Sequence, residues 1–143
     1  MLNEKMNALL SDYVVLAHKL QTYHWYVKGH AFFATHAQLE ELYDEANDNV
    51  DEIAEKILMI GGKPAASMAH FLELASIEEA PEELVAVRDV FASVKADYES
   101  LLARVKDVKA AAEKEGVDLI SAAMDELIAQ LSKNIWMLGQ ALA

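Results

Sequence analysis

Apolar residues recur at steps of three and four positions through most of the chain, which is the spacing of one face of an α-helix. The glycines and prolines at Gly29, at 61–64, at Pro81 and at Gly116 divide this pattern into four long segments. Pro81 suits the first position of a helix, because its missing N–H is not needed there. No segment alternates apolar and polar residues with a period of two, so a sheet is not expected.

The four segments predict four long amphipathic helices. The first two span about residues 3–28 and 33–60, and the third and fourth follow Pro81 and Gly116. Long helices joined by short turns are typical of an all-α four-helix bundle. The connection between the second and third helices is longer and contains MAHFLELA, which predicts a short extra helix in a crossover that lets those two helices run parallel. The most regular apolar stripe is that of the third helix: Leu84, Val87, Phe91, Val94, Tyr98, Leu101, Val105 and Val108.

Composition and charge narrow the class of protein. The 143 residues are 54% hydrophobic, which fits one soluble domain with a sizeable core. The formal charge of −12 works against binding a phosphate polyanion. Because Glu4 is acidic and no long apolar run occurs near the start, the first residues fit neither a signal peptide nor a spanning helix. A cytoplasmic protein is therefore expected.

The chain contains no cysteine, so a metal site must use His, Asp and Glu. These nitrogen and oxygen ligands suit iron, manganese or zinc. On the second predicted helix, His36, Glu40, Asp51 and Glu55 form a band beside the apolar stripe, at the edge of the core. Acidic residues on an amphipathic helix are most often merely solvated, and that alternative stays open for each of them.

The spacing of these residues indicates a site shared between two chains. Asp51 and Glu55 are four residues apart and can hold one cation, but His36 is about 22 Å from Asp51 along the helix axis. Folding the first helix back at Gly29 brings His24 level with His36. A second copy packed antiparallel about a two-fold axis would bring its carboxylate pair to this histidine pair, giving two equivalent sites per dimer.

Two motifs resemble those of the Dps family, the small members of the ferritin superfamily. HWYVKGHAFFATH is similar to the family's HW-x-x-[KR]-G…F…H segment, and DEIAEKILMIGGKP is similar to its D-x-x-[AS]-E-R…GG-x-P segment. Weaker similarity continues through FLELASIEEAP and NIWM, so the resemblance covers nearly the whole chain. It implies a single ferritin-like domain over residues 1–143.

The resemblance assigns the ligands residue by residue. His24 and His36 of one chain match the family's ferroxidase ligands, together with Asp51 and Glu55 of the two-fold mate. The spacings of 12, 15 and 4 residues between these four positions match the family pattern throughout. Glu40 corresponds to a frequent additional acidic ligand.

The resemblance also implies an activity and an assembly. Members form hollow dodecamers that oxidise Fe(II), with hydrogen peroxide as the preferred oxidant, and deposit ferric mineral inside, which protects DNA and the cell from oxidative damage. A paired Fe(II) site that gives two electrons to peroxide avoids releasing hydroxyl radical. Trp25, adjacent to a ligand, is a candidate for supplying or absorbing an odd electron; the alternative is that it packs at a subunit contact.

Further acidic residues are candidates for handling iron inside the shell. By family position, Glu40 and Glu41, with Asp44 beside them, are expected to nucleate mineral, while Glu45 and Asp48 are interpreted as solvated.

At the start of the fourth helix, Asp118, Asp125 and Glu126 are candidates for an acidic pore on a three-fold axis. Val117 and Ala122 occupy positions where some relatives have acidic residues, so the candidate pore differs from the family pattern at these two positions.

The remaining histidines, His18, His30 and His70, are interpreted as structural or solvent-facing. Trp136 is expected to pack in the core.

Three functions remain to be separated by experiment. The first is iron oxidation, storage and detoxification. The second is DNA condensation, but the sequence carries no Lys/Arg-rich tail at either end, so direct DNA binding is not expected, and a mobility shift at low salt discriminates the two. The third is a helical interaction module without chemistry, which predicts that replacing His24 and Asp51 leaves function unchanged.

Overall fold

The computed structural model describes residues 1–143 and is a four-helix bundle. In chain order its elements are α1 (Leu2–Tyr26), β1 (Val27–Lys28), α2 (Phe32–Met59), α3 (Met68–Leu74), β2 (Val85–Ala86), α4 (Val87–Glu115) and α5 (Asp118–Leu142). Helix α1 packs against α2 and α4, and α4 packs against α5. The predicted all-α bundle is confirmed, as is its short helix α3 in the crossover. None of the helices combines the length and the apolar content that crossing a membrane requires.

The apolar stripes of the long helices form one core. In α4 the predicted stripe is confirmed from Val94 onward, and its buried members are Val94, Tyr98, Leu101, Val105 and Val108. The predicted members Val87 and Phe91 are only partly buried, whereas Val90, which the prediction omitted, is fully buried. Leu84, at the start of that predicted stripe, lies outside the helix and is 61% exposed.

The start of α4 differs from the prediction. The helix begins at Val87 rather than after Pro81. Val85 and Ala86 are extended and pair in parallel with Val27 and Lys28, so a two-residue bridge exists where no strand was predicted. This pairing satisfies backbone groups where α1 ends and α4 begins, and it outweighs the helix signal of Pro81. So short a segment has no periodicity from which it could be predicted.

Two polar side chains of α1 hold the crossover in place. Asn7 donates from Nδ2 to the carbonyl of Lys63 at 3.1 Å and accepts from the backbone N–H of Ala65 at 2.7 Å. Asp12 is fully buried and accepts from the backbone N–H groups of Ser76 and Ile77 at 2.6 and 3.0 Å. The backbone groups of the irregular segments before and after α3 are therefore hydrogen-bonded to these two side chains of α1.

The prediction that Trp136 packs in the core is wrong for the single chain, since its side chain is 62% exposed. The buried stripe of α5 runs through Met124, Leu127, Leu131 and Leu138. Trp136 is two residues before Leu138, and at about 100° per residue it lies on nearly the opposite side of the helix.

Candidate metal centre

The turn between α1 and α2 stacks His24 on His36. Their ring centroids are 3.6 Å apart and their planes differ by 15°. The Nδ1 of His24 lies 2.7 Å from the carbonyl oxygen of His36, and the Nδ1 of His36 lies 2.8 Å from that of His24. Because a carbonyl oxygen only accepts, each Nδ1 atom is assigned a proton, and a ring protonated at Nδ1 alone has an Nε2 lone pair that can bind a metal ion.

Glu40 brings a carboxylate to the same end of α2. It lies one helical turn after His36, and its Oε1 is 3.9 Å from Nε2 of His24. The imidazole of His24 is buried, whereas the side chain of Glu40 is 58% exposed. The structure thus brings the His24 imidazole and the Glu40 carboxylate close together, with the His36 ring stacked on that of His24.

Asp51 and Glu55 lie further along α2 and are both exposed. Within one chain no group of three or more His, Asp or Glu side chains is placed to hold a metal ion. The chain therefore carries the histidine cluster and the carboxylate pair as two separate halves. Their union across a two-fold axis stays a prediction, and the donor types fit Fe(II), which accepts imidazole and carboxylate ligands.

The aromatic ring beside His24 is that of Tyr43. It meets the imidazole edge-on, with centroids 5.4 Å apart and an interplanar angle of 82°. Trp25 is 58% exposed and makes its aromatic contact with His18, at a centroid distance of 6.1 Å. Sequence reasoning missed Tyr43, although its position three residues after Glu40 and seven after His36 places all three on one helix face.

A polar groove runs beside α2 with an open volume of about 580 Å³ and no hydrophobic lining residue. It contains two of the predicted nucleation residues, Glu41 and Asp44, whereas Glu40 faces His24. Its lining residues are Glu41, Asp44, Glu45, Asp48, Asn49, Glu52, Glu126 and Gln130. Glu126, a predicted pore residue, therefore shares this groove with the carboxylates of α2.

The other two pore candidates lie elsewhere. Asp125 forms an ion pair with Lys109 at 3.0 Å, and Lys109 also contacts Glu113 at 3.0 Å. Asp118 is exposed in the first turn of α5. The single chain thus does not bring the three acids together, and their role in a pore stays a prediction.

Glu45 lines the groove and forms a hydrogen bond to a side chain of α5. Its half-buried carboxylate accepts from Nδ2 of Asn134 at 2.7 Å. Burial raises the pKa of Glu45, although the Asn134 hydrogen bond and the charge of Lys133 oppose the shift. Since the folded-state pKa exceeds the unfolded one, ionisation of Glu45 costs stability, and this cost appears as the pH rises through the interval between the two values.

Replacing Glu45 by Gln keeps an acceptor oxygen for Asn134 and removes the charge. The thermal unfolding midpoint is expected to rise by roughly 1–3 °C at pH 7. No gain is expected below the usual pKa of 4.5, where wild-type Glu45 is also protonated. Calorimetry at both pH values checks this, and an equal gain at low pH would attribute the effect to packing instead of charge.

Comparisons with known proteins show relatives over nearly the whole chain. Residues 3–143 match the family model for the ferritin-like domain. The DNA protection during starvation protein 2 of Bacillus anthracis is 42% identical over 94% of this chain and 92% of its own length. The DNA protection during starvation protein of Helicobacter pylori is 34% identical over 98% and 97%.

Solved structures give the same result. A Dps protein from Bacillus brevis superimposes with a TM-score of 0.96 at 35% identity, covering 99% of this chain and 95% of that one. The Dps protein from Vibrio cholerae O1, described as a member of a superfamily of ferritin-like diiron-carboxylate proteins, gives 0.95 at 31% identity over 99% and 89%. The fold and the family match over residues 3–143 define a ferritin-like protein. Within that class, the chain belongs to the Dps family.

Proposed function

We propose that this protein stores iron and limits oxidative damage by oxidising Fe(II) at a site shared between two chains. The observation that supports it best is the stacked pair of His24 and His36, in which reciprocal carbonyl bonds leave both Nε2 atoms free.

Each residue of the proposed site has a chemical role. The Nε2 atoms of His24 and His36 bind Fe(II), while the carboxylates of Glu40 and of the mate's Asp51 and Glu55 stabilise the Fe(III) that forms. Two Fe(II) ions give two electrons to one hydrogen peroxide, which becomes two hydroxide ions. No hydroxyl radical leaves such a site, and the acidic groove beside α2 offers the ferric product a surface of carboxylates.

The exposed apolar residues support assembly into the proposed dodecamer. Leu58 and Met59 at the end of α2 and Met68 and Leu72 on α3 are each more than half exposed in the single chain. Large apolar side chains exposed in a single chain are commonly covered by contacts between proteins. We place the protein in the cytoplasm, where it would meet Fe(II) and peroxide.

Anaerobic loading of the metal-free protein with Fe(II), followed by stoichiometric hydrogen peroxide, tests the proposal. Ferric absorbance is expected to rise rapidly in the wild type and no faster than in buffer in the His24→Ala/Asp51→Ala variant, because each shared site then loses a ligand from both chains.

A matched control is His70→Ala, which removes an exposed histidine of α3 far from the turn and is expected to oxidise iron like the wild type. If the wild type oxidises Fe(II) no faster than buffer, the protein is a helical interaction module and the proposal is wrong.

A further inference from the structure

A cavity of about 260 Å³ lies where the last turns of α1 meet the end of the crossover. Its volume corresponds to roughly nine molecules of liquid water, which suits a small ligand. The residues that line it are His18, Lys19, Thr22, Trp25, Tyr26, Glu79, Ala80 and Glu82. None of the candidate iron ligands is among them, so this cavity is separate from the candidate metal centre.

The crossover wall of the cavity is fixed at both ends. On one side, the carboxylate of Asp12 accepts from the backbone N–H groups of residues 76 and 77 at 2.6 and 3.0 Å. On the other side, Val85 pairs with Val27 in the short parallel bridge. Residues 78–84 are therefore a short segment between two anchors. A wall that is ordered in advance loses less conformational entropy when a ligand binds.

The charge at this cavity favours a cation. Lys19 is the one lysine or arginine in the lining, and its buried Nζ already lies 2.8 Å from the carboxylate of Asp97. Glu79 and Glu82 are exposed, and neither forms an ion pair. Their negative charges are therefore uncompensated, which attracts a positively charged ligand and disfavours an anion.

Aromatic rings form the α1 side of the same cavity. Trp25 is 58% exposed and meets the ring of His18 at a centroid distance of 6.1 Å, and the phenol of Tyr26 lies one residue further along. Aromatic faces attract organic cations and also cover their alkyl groups. No three His, Asp or Glu side chains of the chain are grouped to hold a bare metal ion. Rings beside two carboxylates instead suit an ammonium group on a carbon chain.

We propose that this cavity binds a small organic ammonium ion, such as a short alkyl diamine. Its ammonium groups pair with Glu79 and Glu82, and its carbon chain lies against Trp25 and Tyr26. The site requires neither iron nor any candidate iron ligand, so it is independent of the proposed function.

Titration of the assembled, metal-free protein with 1,4-diaminobutane tests the site, followed by ligand-detected NMR. Saturable binding is expected, and 1,4-butanediol, which has the same length and no charge, is expected to bind at least about tenfold more weakly. The chain has two tryptophans, so a Trp136→Phe variant leaves Trp25 as the single reporter. Its fluorescence is expected to change over the same range of diamine concentration, which locates the ligand at this cavity.

A pair of double variants tests the role of the two carboxylates. Glu79→Gln/Glu82→Gln is expected to weaken diamine binding by about tenfold, since each exposed ion pair contributes up to about 1 kcal/mol. Glu78→Gln/Glu83→Gln is the matched control. It removes the same charge from the same exposed segment but outside the cavity lining, and it is expected to leave the affinity within about twofold of wild type. Trp25→Leu is expected to weaken binding by about threefold through loss of the aromatic face.

Three results would each overturn the proposal. The first is the absence of saturable diamine binding. The second is an equal loss in the two double variants, which would mean that the diamine responds only to the overall negative charge of the segment. The third is equal competition by magnesium chloride at constant ionic strength, which would mean that any cation is accepted. None of these measurements involves iron oxidation, so each outcome leaves the proposed function unaffected.

Discussion

Oligomers reassembled from two inactive variants are expected to recover about one quarter of the wild-type rate of iron oxidation. One variant lacks the histidines through His24→Ala and His36→Ala, and the other lacks the carboxylates through Asp51→Ala and Glu55→Ala. Each alone leaves every shared site without half of its ligands. When one chain of each kind pairs across a two-fold axis, one of the two sites lacks both the histidines and the carboxylates. The other site has all four ligands.

The expected fraction follows from random pairing. About half of all two-fold pairs contain one chain of each variant, and one of the two sites in such a pair is intact, which gives about one quarter of all sites. The measurement is the initial rate of ferric absorbance after dissociation, mixing at equal concentration and reassembly. A site built within one chain would give no recovery, because neither variant carries all of the ligands.

A variant with all four substitutions is the control for this experiment. Mixed with either partial variant, it restores no complete site, although it undergoes the same dissociation and reassembly. Recovery in those mixtures would mean that oxidation occurs on the acidic groove instead of at the shared site. Recovery only in the mixture of the two partial variants would establish which chain supplies which ligands.

The histidine half of the site could be predicted from sequence because its geometry is local. Gly29 adopts a positive φ of 110° in the turn, and helical periodicity on either side then determines that His24 and His36 meet. The sequence contained no comparable signal for the reciprocal carbonyl bonds, since these depend on the exact approach of two backbones. Tyr43 was overlooked because a tyrosine at helical spacing is usually a core residue.

The parts that were predicted wrongly depend on contacts between distant segments. The start of α4 is determined by pairing between β1 and β2, which are more than 50 residues apart in the chain. The ion pair of Asp125 with Lys109 could not be predicted either, because α4 and α5 must be packed before the two charges meet, and it leaves the predicted pore role of Asp125 untested. Trp136 illustrates a different limit, since its hydrophobicity suggested burial while its angular position on α5 exposes it.

Replacing Asp12 by Ala is expected to lower the free energy of unfolding by about 3 kcal/mol. Its fully buried carboxylate is the acceptor for the backbone N–H groups of Ser76 and Ile77 and forms an ion pair with Nε of Arg104 at 2.6 Å. Asp12 therefore joins α1, the end of the crossover and α4. The alanine variant leaves two backbone donors without an acceptor. Arg104 is 35% exposed and can regain water, so the expected loss of unfolding free energy is at the low end of the range for breaking a buried ion pair.

Urea unfolding at one fixed protein concentration measures this loss, since assembly makes apparent stability depend on concentration. Asp107→Ala is the matched control: its carboxylate also pairs with a basic residue, Lys5, but is 60% exposed, so a loss below about 1 kcal/mol is expected. Hydrogen exchange adds a local readout, because the amides of Ser76 and Ile77 should lose protection before those of α4. If Asp12→Ala unfolds like Asp107→Ala, the crossover is held by its apolar contacts, such as Phe71 and Ile77, instead of by this carboxylate.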